Sequence, residues 1–262
     1  MNYGDTWQGY AAKLPPHIKV RAPNMDAENK FRSIIQEDVA RLYLRLNGFF
    51  VTGFISHSPN YGRVLTEIDA LGVRMPYSSE PERKITTHDF LGVSAHTTEL
   101  VICEVKSRRE QLRFNEALSA NENACASVLR WAGLFSEKEL PAVVSGIQAL
   151  LQKRPLSSNE PPTVSGPRGA RVRCLLFSLE KSTRRENQPW FVSGPDAFGY
   201  IFDCLCPLEQ RPSCSTTYDY NQWREFASIV NYFKNRMASD AGDIEQLYSA
   251  LRRSNNTPER TR

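Results

Sequence analysis

The residues best suited to chemistry stand at the end of an apolar segment. Residues 100–105 are apolar except for Glu104, and Lys106 follows them. Side chains alternate along a strand, so Glu104 and Lys106 lie on one face, about 7 Å apart along the backbone. Asp69 lies in an earlier strand-like segment, and its carboxylate can share a divalent cation with Glu104 if the two strands pair. We expect Mg²⁺, or alternatively Mn²⁺, because both ions prefer hard carboxylate oxygens.

A cation held in this way suits phosphodiester cleavage. It can polarise a phosphoryl oxygen, orient a water molecule and stabilise the negative charge of the transition state. Lys106 would hold or activate the attacking water and offset part of that charge. Two alternatives remain open. Glu104 and Lys106 could form only a solvated ion pair, and Glu67, on the same face as Asp69, could take the place of Asp69, although we favour Asp69.

Hydrophobic periodicity predicts the helix and the first strand that precede these residues. Residues 26–47 carry apolar side chains at helical spacing, with Asp26 as a cap and Asn47-Gly48 as a stop. The β-branched and aromatic residues 49–55 then predict a strand. A helix and a strand are therefore predicted before the strands that carry the candidate residues.

Two further strands carry the candidate residues themselves. Residues 63–71 predict a strand with Glu67 and Asp69 on one face and Ile68 and Ala70 on the other. The continuous apolar run of residues 100–105 predicts a central strand that is covered on both faces. Such a strand needs neighbours on both sides, and residues 172–179 are the best candidate for the second one. Residues 107–135 predict a helix, broken near residues 119–123.

The chain is expected to form one domain with elaborations, because its 262 residues can bury one substantial core. The second half should complete the sheet and its covering helices. The predicted organisation is an N-terminal arm (1–25), a core (26–154), a Pro- and Gly-rich exposed loop or linker (155–170), the remaining strands and helices (171–253) and a flexible tail (254–262).

Composition narrows the class of protein. A charged fraction of 24% and a hydrophobic fraction of 40% are typical of a folded globular chain and exclude a disordered one. The N-terminal residues lack the apolar run of a signal peptide, and no segment reaches the length of a membrane span. We therefore expect a cytoplasmic protein without a membrane partner. The net charge of +4 permits a polyanionic partner but does not require one.

At the candidate residues the sequence resembles the PD-(D/E)xK nuclease superfamily. The interval from Glu37 to Gly48, followed by Phe49-Phe50-Val51, is similar to the first-helix pattern of its Holliday-junction-resolvase-like and Mrr-like branches. The residues that carry the resemblance are Glu37 in the first helix, Glu67-Ile68-Asp69 in the second strand and Glu104-Val105-Lys106-Ser107-Arg108 in the third. The resemblance implies an α/β, restriction-endonuclease-like fold: a mixed central sheet flanked by helices, here with a C-terminal elaboration. It covers about the first half of the chain.

The resemblance also implies roles for individual residues. Asp69 and Glu104 become metal ligands, with the Val105 backbone carbonyl as a further ligand. Lys106 becomes the catalytic lysine and Glu37 a supporting carboxylate.

The expected function is that of a Mg²⁺-dependent DNA endonuclease in restriction, defence or repair. DNA is the expected partner, and contacts to its phosphates are expected from Arg108, Arg109 and Arg113. The alternatives are a catalytically inactive nucleic-acid-binding or assembly subunit with a nuclease-like fold and, less favoured, an RNA-directed nuclease. A protein partner or a homo-oligomer remains open. The chain has no Gly-x4-Gly-Lys-Ser/Thr motif, so any energy-dependent translocation would need a partner protein.

Overall fold

The computed structural model describes most of the chain. The described residues are 25–57, 64–79, 85–107, 110–152, 161–183, 188–206, 220–236 and 240–256. The predicted N-terminal arm falls outside these ranges except for Met25. The predicted tail falls outside them from residue 257 onwards.

Helix α1 spans Met25–Leu46 and confirms the first predicted helix. Val39 and Leu42 are fully buried on its inner side. The helix ends where predicted because Gly48 adopts a left-handed backbone with a φ of 85°, which a residue with a Cβ atom adopts only at a cost. Asp26 differs from the prediction: it lies inside the first turn instead of capping it.

Six strands within the described ranges form one mixed sheet. Their bounds are β1 Phe50–His57, β2 Val64–Arg74, β3 Glu99–Val105, β4 Thr163–Ser165, β5 Arg171–Ser178 and β6 Val192–Ser193. Their order across the sheet is β1-β2-β3-β5-β4, and β6 pairs with the end of β5. The first three strands are antiparallel neighbours, whereas β3 and β5 are parallel. The pairing of β3 with β5 confirms that residues 172–179 supply the second neighbour of the central strand.

Helices cover both faces of this sheet. Their bounds after α1 are α2 Glu116–Ala120, α3 Glu122–Ala132, α4 Leu140–Gln152, α5 Gly194–Leu205, α6 Ala227–Lys234 and α7 Ile244–Asn256. Helices α1, α5, α6 and α7 form one apolar cluster with the sheet, and α2, α3 and α4 form a second. Strand β3 contributes Val101 and Cys103 to the first cluster and Leu100 and Ile102 to the second, so it is covered on both faces as predicted. None of the described helices has the length and apolar character needed to span a membrane.

Three predicted segments differ from the structure. The loop or linker predicted over residues 155–170 contains β4, which pairs with β5; a strand of three residues is too short to show a recognisable alternation. The helix predicted from residue 107 begins only at Glu116, although its predicted break is present at Asn121. The tail predicted from residue 254 is helical as far as Asn256.

A β-bulge in β2 redirects side chains next to Asp69. Along the β1–β2 ladder, Thr52 pairs with Leu71 and Phe54 pairs with Ile68. Two steps along β1 therefore match three along β2, and the additional residue lies at Asp69 or Ala70. As a result Ile68 packs in the second apolar cluster and Ala70 in the first. The prediction that Ile68 and Ala70 share a face is wrong, because alternation does not continue through a bulge.

Candidate functional site

Asp69, Glu104 and Lys106 lie together where β2 and β3 stop pairing. The paired register ends at Ala70 and Cys103, and Asp69 and Glu104 are the next residues on the two strands. The Asp69 side chain then bonds across the gap: its Oδ2 accepts a hydrogen bond of 2.7 Å from the Val105 N–H. On the other side of β3, the Lys106 N–H donates to the Phe177 carbonyl of β5 at 2.8 Å. Both neighbouring strands therefore hold the end of β3 in place.

Glu104 is a buried carboxylate whose two oxygens have different surroundings. Only 3% of its side chain is exposed. Oε1 accepts a hydrogen bond of 2.8 Å from the Asn115 N–H. Oε2 is buried and lies 2.5 Å from Nζ of Lys106. The Lys106 ammonium is therefore the charged partner of Oε2.

The electrostatics of the site favour an additional positive charge. Burial raises the pKa of Asp69 to about 6; the Val105 N–H and Lys106 oppose this shift, whereas the charges of Glu37 and Glu67 add to it. Burial also raises the pKa of Glu104, and the charge of Asp69 contributes, while Lys106 and the Asn115 N–H act in the opposite direction. Lys106 therefore does not fully compensate the negative charge collected here.

Glu37 influences the charge of Asp69, but its oxygens are engaged elsewhere. Its charge contributes to the raised pKa of Asp69, and α1 packs against β2. One carboxylate oxygen accepts from the Ser33 hydroxyl at 3.0 Å, and the other lies 3.2 Å from the Arg41 guanidinium. In this geometry Glu37 adjusts the charge around Asp69 without contacting it.

The segment after β3 differs from the predicted helix start. Arg113 is exposed in a loop, and its N–H donates to the Gln111 carbonyl. Arg108 and Arg109 lie outside the described residues. The helix begins later because the Asn115 side chain caps α2 by accepting from the Leu118 N–H at 2.7 Å. The sequence interpretation missed Asn115, although an Asn just before the first helical residue is a recognised start signal.

Asp69 and Glu104 are chemically suited to a hard divalent cation. Each is a half-buried or buried carboxylate with a raised pKa, and the backbone of Val105 lies beside Asp69. In the part of the chain that the structure describes, no three His, Cys, Asp or Glu side chains form a group that could hold a metal. Two carboxylates fit Mg²⁺ nevertheless, because this ion keeps several water ligands and takes others from substrate phosphates.

Comparisons with known proteins do not add to this description. No family model matches the chain, and neither a curated protein nor a solved structure is significantly similar to it. Function must therefore be inferred from the geometry of the site.

Proposed function

We propose that this chain is a Mg²⁺-dependent phosphodiester hydrolase with a restriction-endonuclease-like fold, acting as a DNA endonuclease. The observation that carries the proposal is the convergence of Asp69, Glu104 and Lys106 at the separating ends of two adjacent strands. Asp69 precedes Glu104 by 35 positions in the sequence (104 − 69). A solvated surface ion pair would not need a third charged group or the burial of Glu104.

The order of elements supports the same proposal. Helix α1 is followed by β1, by β2 with Asp69, by β3 with Glu104 and Lys106, and then by α2. This is the order that the resemblance to the PD-(D/E)xK superfamily implies. Strand β5, parallel to β3, completes the centre of the sheet.

The proposed mechanism assigns a separate task to each residue. Asp69 and Glu104 would hold Mg²⁺, with the Val105 carbonyl as a further ligand. The ion would supply Lewis-acid stabilisation of the charge that develops on the phosphate. Lys106, held beside Glu104, can donate a hydrogen bond to the attacking water or to a phosphoryl oxygen. The burial of both carboxylates strengthens these interactions, because water screens them less.

A cleavage assay with matched variants tests the proposal. Supercoiled, linear and single-stranded DNA, and RNA of the same sequence, are incubated with the protein in Mg²⁺, in Mn²⁺ and in a chelator. We expect metal-dependent cleavage of DNA that disappears in folded Lys106→Ala and Asp69→Ala proteins. The control variants are Lys138→Ala and Asp203→Ala, which remove an exposed lysine and an exposed aspartate; we expect both to cleave like the wild type.

Other results would select the alternatives. Cleavage that survives both Lys106→Ala and Asp69→Ala would end the assignment of this site. Binding of DNA without cleavage across both metal titrations would favour a catalytically inactive nucleic-acid-binding or assembly subunit. Preferential cleavage of RNA would favour an RNA-directed nuclease with the same residues.

A further inference from the structure

We propose that Asn115 is the positioning residue of the site, which fixes the orientation of Glu104 and couples it to the strand that carries Asp69. The inference rests on the proposed function, because it concerns how the same two carboxylates are held. Asn115 lies outside both strands, in the loop that leads into α2.

Asn115 determines which oxygen of Glu104 faces the site. Its backbone N–H donates to Oε1 of Glu104 at 2.8 Å. A carboxylate held at one oxygen presents its other oxygen in a defined direction. That other oxygen, Oε2, is the one 2.5 Å from Nζ of Lys106.

The Asn115 side chain connects this hydrogen bond to β2. Its Nδ2 donates to the Glu67 carbonyl at 3.1 Å and approaches the Thr66 hydroxyl at 3.4 Å. Glu67 precedes Asp69 by two residues, so the same asparagine contacts the strand of one carboxylate and the side chain of the other. Asn115 can therefore hold Glu104 and the strand that carries Asp69 in one relative position.

The Asn115 side chain is itself held in one orientation. Its Oδ1 accepts from the Leu118 N–H at 2.7 Å, as the cap of α2. With the oxygen facing an N–H and the nitrogen facing a carbonyl, the amide has complementary partners on both sides. An apolar or shorter side chain would leave the Glu67 carbonyl without this donor.

Asn121 provides a matched control in the same part of the chain. It is also an asparagine that caps a helix, because its side chain accepts from the Ala124 N–H at 3.2 Å at the start of α3. Asn121 is exposed and has no contact with β2 or Glu104 among its hydrogen bonds. Asn121→Ala therefore removes a helix cap and leaves the connection between Glu104 and β2 intact.

The experiment measures Mn²⁺ binding to the full chain by titration calorimetry, alongside thermal melting and the Mg²⁺ concentration that half-activates DNA cleavage. We expect Asn115→Ala to weaken Mn²⁺ binding and to raise the half-activating Mg²⁺ concentration by about tenfold or more, as is usual for residues that orient metal ligands. We expect Asn121→Ala to bind Mn²⁺ like the wild type. Asn115→Ser keeps a capping hydroxyl but is too short to reach β2, so it should melt near the wild type and still bind Mn²⁺ weakly.

The outcomes separate this inference from the proposed function. Wild-type protein that neither binds Mn²⁺ nor cleaves nucleic acid would overturn the proposed function, and this inference with it. Wild-type protein that binds and cleaves, with Asn115→Ala and Asn115→Ser unchanged in Mn²⁺ affinity, would overturn the inference alone. Equal losses in Asn115→Ala and Asn121→Ala would also overturn it, because the effect would then come from helix capping.

Discussion

The two ends of strand β3 each bury a glutamate, and the two glutamates differ in the number of cationic side chains beside them. Glu99, at the start of the strand, is fully buried. Oε2 accepts from Nε of Arg173 at 2.9 Å, and Oε1 accepts from Nε of Arg171 and the Thr97 hydroxyl, both at 2.8 Å. Glu104, five residues later, has one neighbouring cation, Lys106, at Oε2 and one backbone donor, the Asn115 N–H, at Oε1.

The pKa values of the two groups move in opposite directions. Burial alone would raise the pKa of Glu99, but Arg173, the Ser94 N–H and the Thr97 hydroxyl outweigh it, so the pKa lies below its ordinary value. At Glu104 burial is only partly opposed by Lys106 and the Asn115 N–H, and the pKa lies above its ordinary value. A buried carboxylate whose partners outweigh its desolvation is held in the charged form, whereas a buried carboxylate with a raised pKa is typical of sites that bind or react.

The largest expected difference between the two ends of β3 is in their effect on DNA cleavage. Glu104→Gln keeps an oxygen for the Asn115 N–H but removes the negative charge, so we expect DNA cleavage to fall by about 10³-fold. Because the pKa of Glu104 is raised in the folded protein, its neutralisation should leave the metal-free melting temperature nearly unchanged. Single-turnover cleavage and thermal melting measure both quantities. Retained cleavage would show that Glu104 is structural, like Glu99.

The same substitution at the other end of β3 should lower the stability of the fold and leave cleavage intact. Glu99→Gln leaves the buried Arg173 and the half-buried Arg171 without their carboxylate, and we expect the free energy of unfolding to fall by about 3 kcal/mol. Denaturant unfolding measures this loss, and cleavage per folded molecule should persist. Glu137→Gln is the control, since it breaks an exposed ion pair with Arg130 and should unfold like the wild type. Equal stability of the Glu99 and Glu137 variants would contradict the comparison.

The two ends should also respond differently to pH in metal-free protein. The raised pKa of Asp69, about 6, means that protonated Asp69 stabilises the fold below about pH 4, and this contribution is lost as the pH rises through about 6. Lowering the pH from 7 to 5 should therefore stabilise the wild type by about 1 kcal/mol relative to Asp69→Asn. Glu99 acts in reverse: its contribution is present above its unfolded pKa and is lost as the pH falls through its lowered folded pKa. Melting curves of the wild type, Asp69→Asn and Glu99→Gln between pH 3 and pH 7 would test both signs.

The smallest expected effect is at the edge of the site. Glu37→Gln removes a charge that raises the pKa of Asp69, so the acidic limb of the cleavage profile should move to lower pH, with a change in rate of about threefold or less. Glu67→Gln should act in the same direction and more weakly, because Glu67 contributes less to that shift. Loss of cleavage in Glu67→Gln but not in Asp69→Asn would assign the ligand to Glu67 instead.

Local sequence patterns were sufficient for most of the elements near the site. The bounds of α1 follow from its apolar spacing and from Gly48, and the burial of β3 on both faces follows from an apolar run that only Glu104 interrupts. The same patterns singled out Asp69, Glu104 and Lys106 as candidates. Short elements were harder to predict from the sequence: β4 has three residues, and the start of α2 depends on a single capping side chain.

What the sequence determined by itself is the set of charged residues and the strands that carry them, because alternation and apolar runs act over neighbouring positions. Only the tertiary structure decided how those residues meet. The register of β2 against β3 brings Asp69 to Val105, the bulge interrupts the alternation beside it, and Asn115 connects both strands from a loop. Glu99 and Glu104 look alike in sequence, but Arg173 of β5 and other donors outweigh burial at Glu99, whereas burial outweighs Lys106 and the Asn115 N–H at Glu104. Burial and the contacts from β5 and the α2 loop depend on residues that are distant along the chain, so no local pattern specifies them.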